Sequence, residues 1–153
     1  MTMKLSHLDE QGKARMVDVS GKPRVLRTAR ATGTVRMAAE TVRLIRENQL
    51  QKGDALAVAR IAGITGAKKT SELIPLCHGI RVDQVTVDLT LGEGRVEIES
   101  RVICTESTGV EMEALVAVSI AALTLYDMCK AVDKGMTIEA VRLLEKTKEE
   151  PSP

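Results

Sequence analysis

From Ala114 to Tyr126 the chain runs for thirteen residues without a charge. Acid brackets the run, with Glu111 and Glu113 before it and Asp127 after it. The run is short of the ~20 residues that span a bilayer. A helix this apolar must instead lie against a protein core. Composition limits what that core is made of. The chain has no Phe, no Trp and one Tyr, Tyr126. The core is therefore aliphatic, built from Val, Leu, Ile, Ala and Met. A length of 153 residues suits one domain around one such core.

The same composition excludes several functions. Without aromatic platforms the chain does not resemble a single-strand binder or an RNA-binding sheet. A net charge of +1 gives no overall field toward nucleic acid or anionic lipid. The three cysteines, Cys77, Cys104 and Cys129, have no pairing pattern, and the N-terminal residues are polar. Reduced thiols and the absence of a signal-peptide core point to a cytoplasmic protein. Neither nucleic acid nor a membrane is expected as a partner.

Along the chain, residues 1–14 read as a mobile arm and Met16–Val19 as a short extended piece. Val25 to Met37 alternates as a strand, kinked at Gly33. Ala38–Asn48 has helical spacing. Asp54 is a good N-cap for a helix over Ala55–Ala62, and Gly63 a good stop. Thr70–Ile74 makes a short helix ended by Pro75. Val82–Leu89 and Val96–Ile103 alternate as two strands about a Leu91–Gly94 turn. The long helix follows. The local pattern of Met136–Lys146 (Ile138, Val141, Leu144) allows a helix. The order describes an α+β sandwich, an antiparallel sheet with helices on one face.

Certain residues point to chemistry. Asp127 and Lys130 stand one helical turn apart beside Leu123, Leu125, Met128 and Val132. On the surface such a pair contributes only ~0.2–0.5 kcal/mol. Partly buried among apolar neighbours, it can exchange protons near neutral pH. Glu111 completes a T-x-x-E capping box with Thr108, so it serves the helix start, a ligand, or both. Glu113 has no capping role, and its carboxylate suits a guanine-like N–H edge. His78 has no second ligand at zinc spacing, and no metal site is expected. Lys68–Thr70 after Gly63–Gly66 fails the spacing of a phosphate-binding loop. Its lysines remain candidate point charges for phosphate, as do Lys52, Arg27, Arg24 and Lys146.

Several segments carry a resemblance: MVDVS (Met16–Ser20), KGDALAVARIAGI (Lys52–Ile64), KKTSELIPLCH (Lys68–His78), GVEMEAL (Gly109–Leu115), LYDMCKAVDKG (Leu125–Gly135) and VRLLEK (Val141–Lys146). In this order they resemble the cyclic pyranopterin monophosphate synthase family, the molybdenum-cofactor biosynthesis protein C, from about residue 5 to 146. Two departures stand out. Gly79 replaces the usual Pro after His78, and the tail reads TKEEPSP rather than a Gly/Ser/Lys-rich segment.

The resemblance implies a ferredoxin-like fold, with Met136–Lys146 as a strand. A single catalytic domain would span residues 15–147, with residues 148–153 as a flexible tail. It implies a lyase that converts 3′,8-cyclo-7,8-dihydro-GTP to cyclic pyranopterin monophosphate and pyrophosphate, without a cofactor. Asp127 and Lys130 would be catalytic. Leu76, Cys77, His78, Glu111, Met112 and Glu113 would bind substrate. Arg27, Lys52, Lys68 and Lys146 rise above the other basic residues as phosphate ligands. Glu113 and Asp127 are fourteen residues apart on one helix, roughly 21 Å along its axis. Either the substrate is long or two subunits supply the two ends. The family's homohexamer, a trimer of dimers with sites at the dimer interface, fits the second. The competing class is a non-catalytic nucleotide-binding module on the same fold.

Overall fold

In a computed structural model, described over residues 6–150, four strands and four helices follow in the order β1 (Val25–Arg36), α1 (Ala39–Arg46), α2 (Ala55–Lys68), α3 (Thr70–Leu73), β2 (Gln84–Gly92), β3 (Arg95–Glu106), α4 (Glu111–Cys129), β4 (Thr137–Glu149). The strands form one antiparallel sheet in the order β2-β3-β1-β4. This is the βαββαβ arrangement of the ferredoxin-like fold.

Strand alternation separates the two faces. Val25, Ala29, Ala31 and Val35 of β1 and Val96, Ile98, Val102 and Cys104 of β3 turn inward and are buried. The outward positions are mostly Thr and charged side chains, with Arg30 paired to both Glu99 and Glu145. α4 covers the inner face and α2 packs on α4. This explains the charge-free run: α4 is 19 residues long and apolar enough by composition to pass for a membrane span, but ten of its residues are buried within the protein.

Two glycines let these layers approach. A Cβ on Gly33 would lie 2.7 Å from Val118 Cγ1 on α4. One on Gly63 would lie 2.8 Å from the Ala117 carbonyl oxygen. Gly63 is therefore not a helix stop. α2 continues through it to Lys68, because the missing side chain is where α4 crosses. Asp54 does cap α2, accepting from Ala57 N at 3.0 Å.

The last segment is strand β4, as the family resemblance implied and the local spacing did not. Its register against β1 slips between Arg30 and Ala31 and again between Thr32 and Thr34. Ala140 sits in the second bulge at φ 55°. The bulges break the alternation and leave apolar residues at helix-like intervals. β4 pairs as far as Glu149, opposite Leu26, past the domain boundary expected at residue 147. Residues 6–14 of the expected arm hold a Leu8–Ala14 bridge, and His7 O accepts from Arg15 N at 2.9 Å. The arm's first five residues and the tail's last three lie outside the described residues.

Candidate active site

The expected site residues gather at opposite ends of α4. At its N-terminal end the helix begins at Glu111 with Val110 as N-cap and no side-chain cap. The Thr108 capping box is not formed. Glu111 instead meets Lys146 of β4 at 3.2 Å. Arg27, inward on β1, donates from Nε to Glu106 O (3.0 Å) and from Nη2 to Ser107 O (3.3 Å). These bonds leave other guanidinium donors for a ligand. Arg27, Glu111 and Lys146 line a cavity of about 250 Å³.

A second cavity of about 300 Å³ adjoins the first across Gly109 and Glu111. Leu76, Cys77, His78 and Met112 line it. His78 Nε2 lies 2.5 Å from Val17 O. A carbonyl only accepts, so Nε2 carries the proton in this contact. The MVDVS segment thereby holds His78. His7 also lines this cavity. Sequence reasoning set it aside with the arm; its one signal is that the chain has only two histidines.

Glu113 lies behind this cavity. It is 3 % exposed, and among the described residues Oε2 has no hydrogen-bond partner. The Cys77 thiol donates to Oε1 across 3.9 Å. Burial, reinforced by the nearby Glu111 carboxylate, raises the Glu113 pKa. Burial and the Glu113 charge likewise raise that of Cys77, so it is a thiol at neutral pH.

The other end of α4 carries a cluster that sequence spacing only half revealed. Asp127 accepts from Lys130 Nζ at 2.8 Å and from Lys52 Nζ at 2.9 Å. Lys52 comes from the α1–α2 connection, 75 residues away in sequence. The expected partial burial of the pair is overturned. Leu125 and Met128 turn into the core, while Leu123 and Val132 are exposed, leaving Asp127 and Lys130 each more than half exposed. Hydrogen bonds to the two lysines lower the Asp127 pKa to about 2, and the carboxylate raises that of Lys130. Asp127 and Lys130 are therefore both charged at neutral pH. Proton exchange within the pair near neutrality is thus not a property of this arrangement.

Glu113 and Asp127 share nearly one helix face, yet one is buried and the other open. The Leu76–His78 segment covers the first end only. Lys68 is exposed on the last turn of α2, in neither group. Among the described residues no three His, Cys, Asp or Glu side chains are grouped as metal ligands would be.

Two groups of basic and carboxylate side chains thus lie at the two ends of α4. Comparison with known proteins shows the family. The model of the MoaC family matches residues 16–149. The chain belongs to the MoaC family. It is 59 % identical over 145 residues to a cyclic pyranopterin monophosphate synthase of Heliobacterium modesticaldum, covering 94 % of this chain and 91 % of that protein. It is 58 % identical over 146 residues to one of Parvibaculum lavamentivorans, again covering 94 % and 91 %. A molybdenum cofactor biosynthesis bifunctional protein of Chlorobaculum tepidum is 55 % identical over 145 residues, and this chain spans 46 % of its length. The MoaC match takes in Arg27, Lys52, Lys68, the Leu76–His78 and Glu111–Glu113 segments, Asp127, Lys130 and Lys146, so both ends of α4 fall inside it.

Proposed function

We propose that this chain is a cyclic pyranopterin monophosphate synthase acting on 3′,8-cyclo-7,8-dihydro-GTP. The reaction opens the guanine-derived ring and rebuilds it as a pterin. A ribose hydroxyl attacks the α-phosphorus, closing a cyclic phosphate as pyrophosphate leaves. The observation that carries the reading is the Lys52–Asp127–Lys130 cluster. Opening and reclosing the ring needs a proton donor, and Lys130 is held protonated by Asp127. The departing pyrophosphate needs positive charge, which Lys52 supplies from the other side of the same carboxylate. Asp127 stays ionised and fixes both ammonium groups.

The cavities at the other end of α4 suit the remainder of the substrate. Arg27 and Lys146 offer donors to phosphate oxygens, and His78 offers a further polar contact. Lys68 is a more remote phosphate candidate. Neither cavity includes Lys52, Asp127 or Lys130. The two ends, roughly 21 Å apart along α4, are therefore assigned to sites completed by a neighbouring subunit, in a homohexamer built as a trimer of dimers. The three free cysteines fit a reducing cytoplasm. No cofactor is invoked, because the atoms are rearranged at constant oxidation level. The test is pyrophosphate release from the cyclised GTP. The wild-type chain should turn it over to a pterin product. Binding without turnover would leave a nucleotide-binding module instead.

A further inference from the structure

The side chain that joins the halves of the lysine–carboxylate cluster is Asp133, beyond the end of α4. Its Oδ2 accepts from the Ala38 backbone N–H at 2.9 Å and from the Thr41 hydroxyl at 2.8 Å, both at the start of α1. Its Oδ1 accepts from Gly135 N at 3.0 Å. Its own N–H closes onto Cys129 O at 3.1 Å, so the carboxylate is anchored to the last turn of α4. Thr41 is 2 % exposed, which makes this a partly buried contact rather than a surface one. Among the described residues no other side-chain hydrogen bond ties α1 to the segment after α4. That tie spans the two elements that build the cluster. α4 carries Asp127 and ends at its C-cap, Lys130. α1 leads through Leu50, which is buried, to Lys52.

We infer that Asp133 is the positioning residue of the Lys52–Asp127–Lys130 cluster: it docks the start of α1 on the end of α4 and so sets where Lys52 meets Asp127. The inference rests on the reading that this cluster performs the chemistry. Lys52 and Lys130 are exposed, flexible side chains on the same carboxylate. Lys52 also donates to the Asp127 carbonyl oxygen at 3.2 Å, so its separation from Lys130 follows the backbones beneath them. A change of about 1 Å in such an arrangement is enough to lower a rate by ~10²-fold.

The test compares Asp133→Asn, Thr41→Val and Thr41→Ser with Lys130→Ala in the assembled enzyme. Asp133→Asn turns one acceptor into a donor facing the α1 N–H group. Thr41→Val removes the hydroxyl at constant shape, and Thr41→Ser keeps it. The first two should lower kcat by ~10- to 100-fold with a much smaller change in KM, and Thr41→Ser should retain wild-type turnover. The second readout is the Asp127 titration, followed by carboxyl-carbon NMR of aspartate-labelled enzyme. In Asp133→Asn its pKa should rise from about 2 toward the ordinary 3.8, because the Lys52 contact loosens. A merely structural role would lower the melting temperature without moving that titration. Wild-type kcat in Asp133→Asn beside an inactive Lys130→Ala overturns the positioning role alone. An unmoved Asp127 titration, or Thr41→Ser as impaired as Thr41→Val, does the same. Full turnover by Lys130→Ala overturns the catalytic cluster itself.

Discussion

Replacing Glu113 by Gln should stabilise this protein while impairing it. The Glu113 carboxylate is 3 % exposed, its Oε2 has no hydrogen-bond partner among the described residues, and its Oε1 accepts from a thiol 3.9 Å away. A buried acceptor left unsatisfied costs about 1–3 kcal/mol, more when it is charged. Burial raises its pKa above the ordinary 4.5, so the fold favours the neutral acid. The stability tied to that preference is present below the unfolded value and lost as pH rises through the folded value. At pH 8 the carboxylate is the less stable form, and Glu113→Gln removes the charge at constant shape. The expected gain is ~1–3 kcal/mol, which for a chain of this size raises the melting temperature by ~2–12 °C. At pH 4 both side chains are neutral and the difference should shrink toward zero. On the proposed substrate-binding role of Glu113 turnover should also fall, because an acceptor oxygen becomes a donor. Thermal melts of both proteins from pH 4 to pH 8 read the effect directly. A less stable Gln variant at pH 8, or a difference that does not vary with pH, would refute the reasoning and mean that the carboxylate is charged and paired.

Gly63→Ala adds ~1 kcal/mol of helix propensity but places a methyl 2.8 Å from the Ala117 carbonyl, where overpacking costs ~1–3 kcal/mol. The net should be a lower melting temperature by calorimetry; an unchanged or higher one contradicts the close crossing of α2 and α4. Arg27→Ala and Lys146→Ala should raise KM for the triphosphate substrate more than for a dephosphorylated analogue, with the gap narrowing as salt increases. Equal losses for both ligands would place these side chains away from the phosphates. Asp127→Asn should fold normally and lose turnover, since it removes the charge that holds both lysines; near-normal kcat would sink the assigned role.

The elements were legible where local chemistry and packing agree. The charge-free run announced a core helix, the Asp54 cap announced the start of α2, and the alternation announced the β2–β3 hairpin, although β2 runs on through Leu91 and Gly92 of the expected turn. Gly63 misled because the same residue ends helices and admits close crossings, and only the position of α4 decides between them. β4 misled because two bulges convert its alternation into helix-like spacing. The site was legible as a set of residues and not as an arrangement. Spacing showed that Asp127 and Lys130 share a turn, but not that Leu123 and Val132 beside them face solvent. It also could not show that Lys52, 75 residues away, closes on the same carboxylate. Glu113 and Asp127 looked equivalent along one face until the Cys77 segment covered only the first.

The proposed activity turns on whether the two ends of α4 act together across subunits. His78→Ala lesions one end and Asp127→Asn the other. The two inactive variants would be unfolded together, co-refolded, shown by mass to have mixed, and assayed for pyrophosphate release from the cyclised GTP. If sites are shared, some mixed dimers hold one site with both lesions and one with neither, and activity returns. A mixed population that stays inactive would mean that each site lies within one chain, contradicting the shared-site reading.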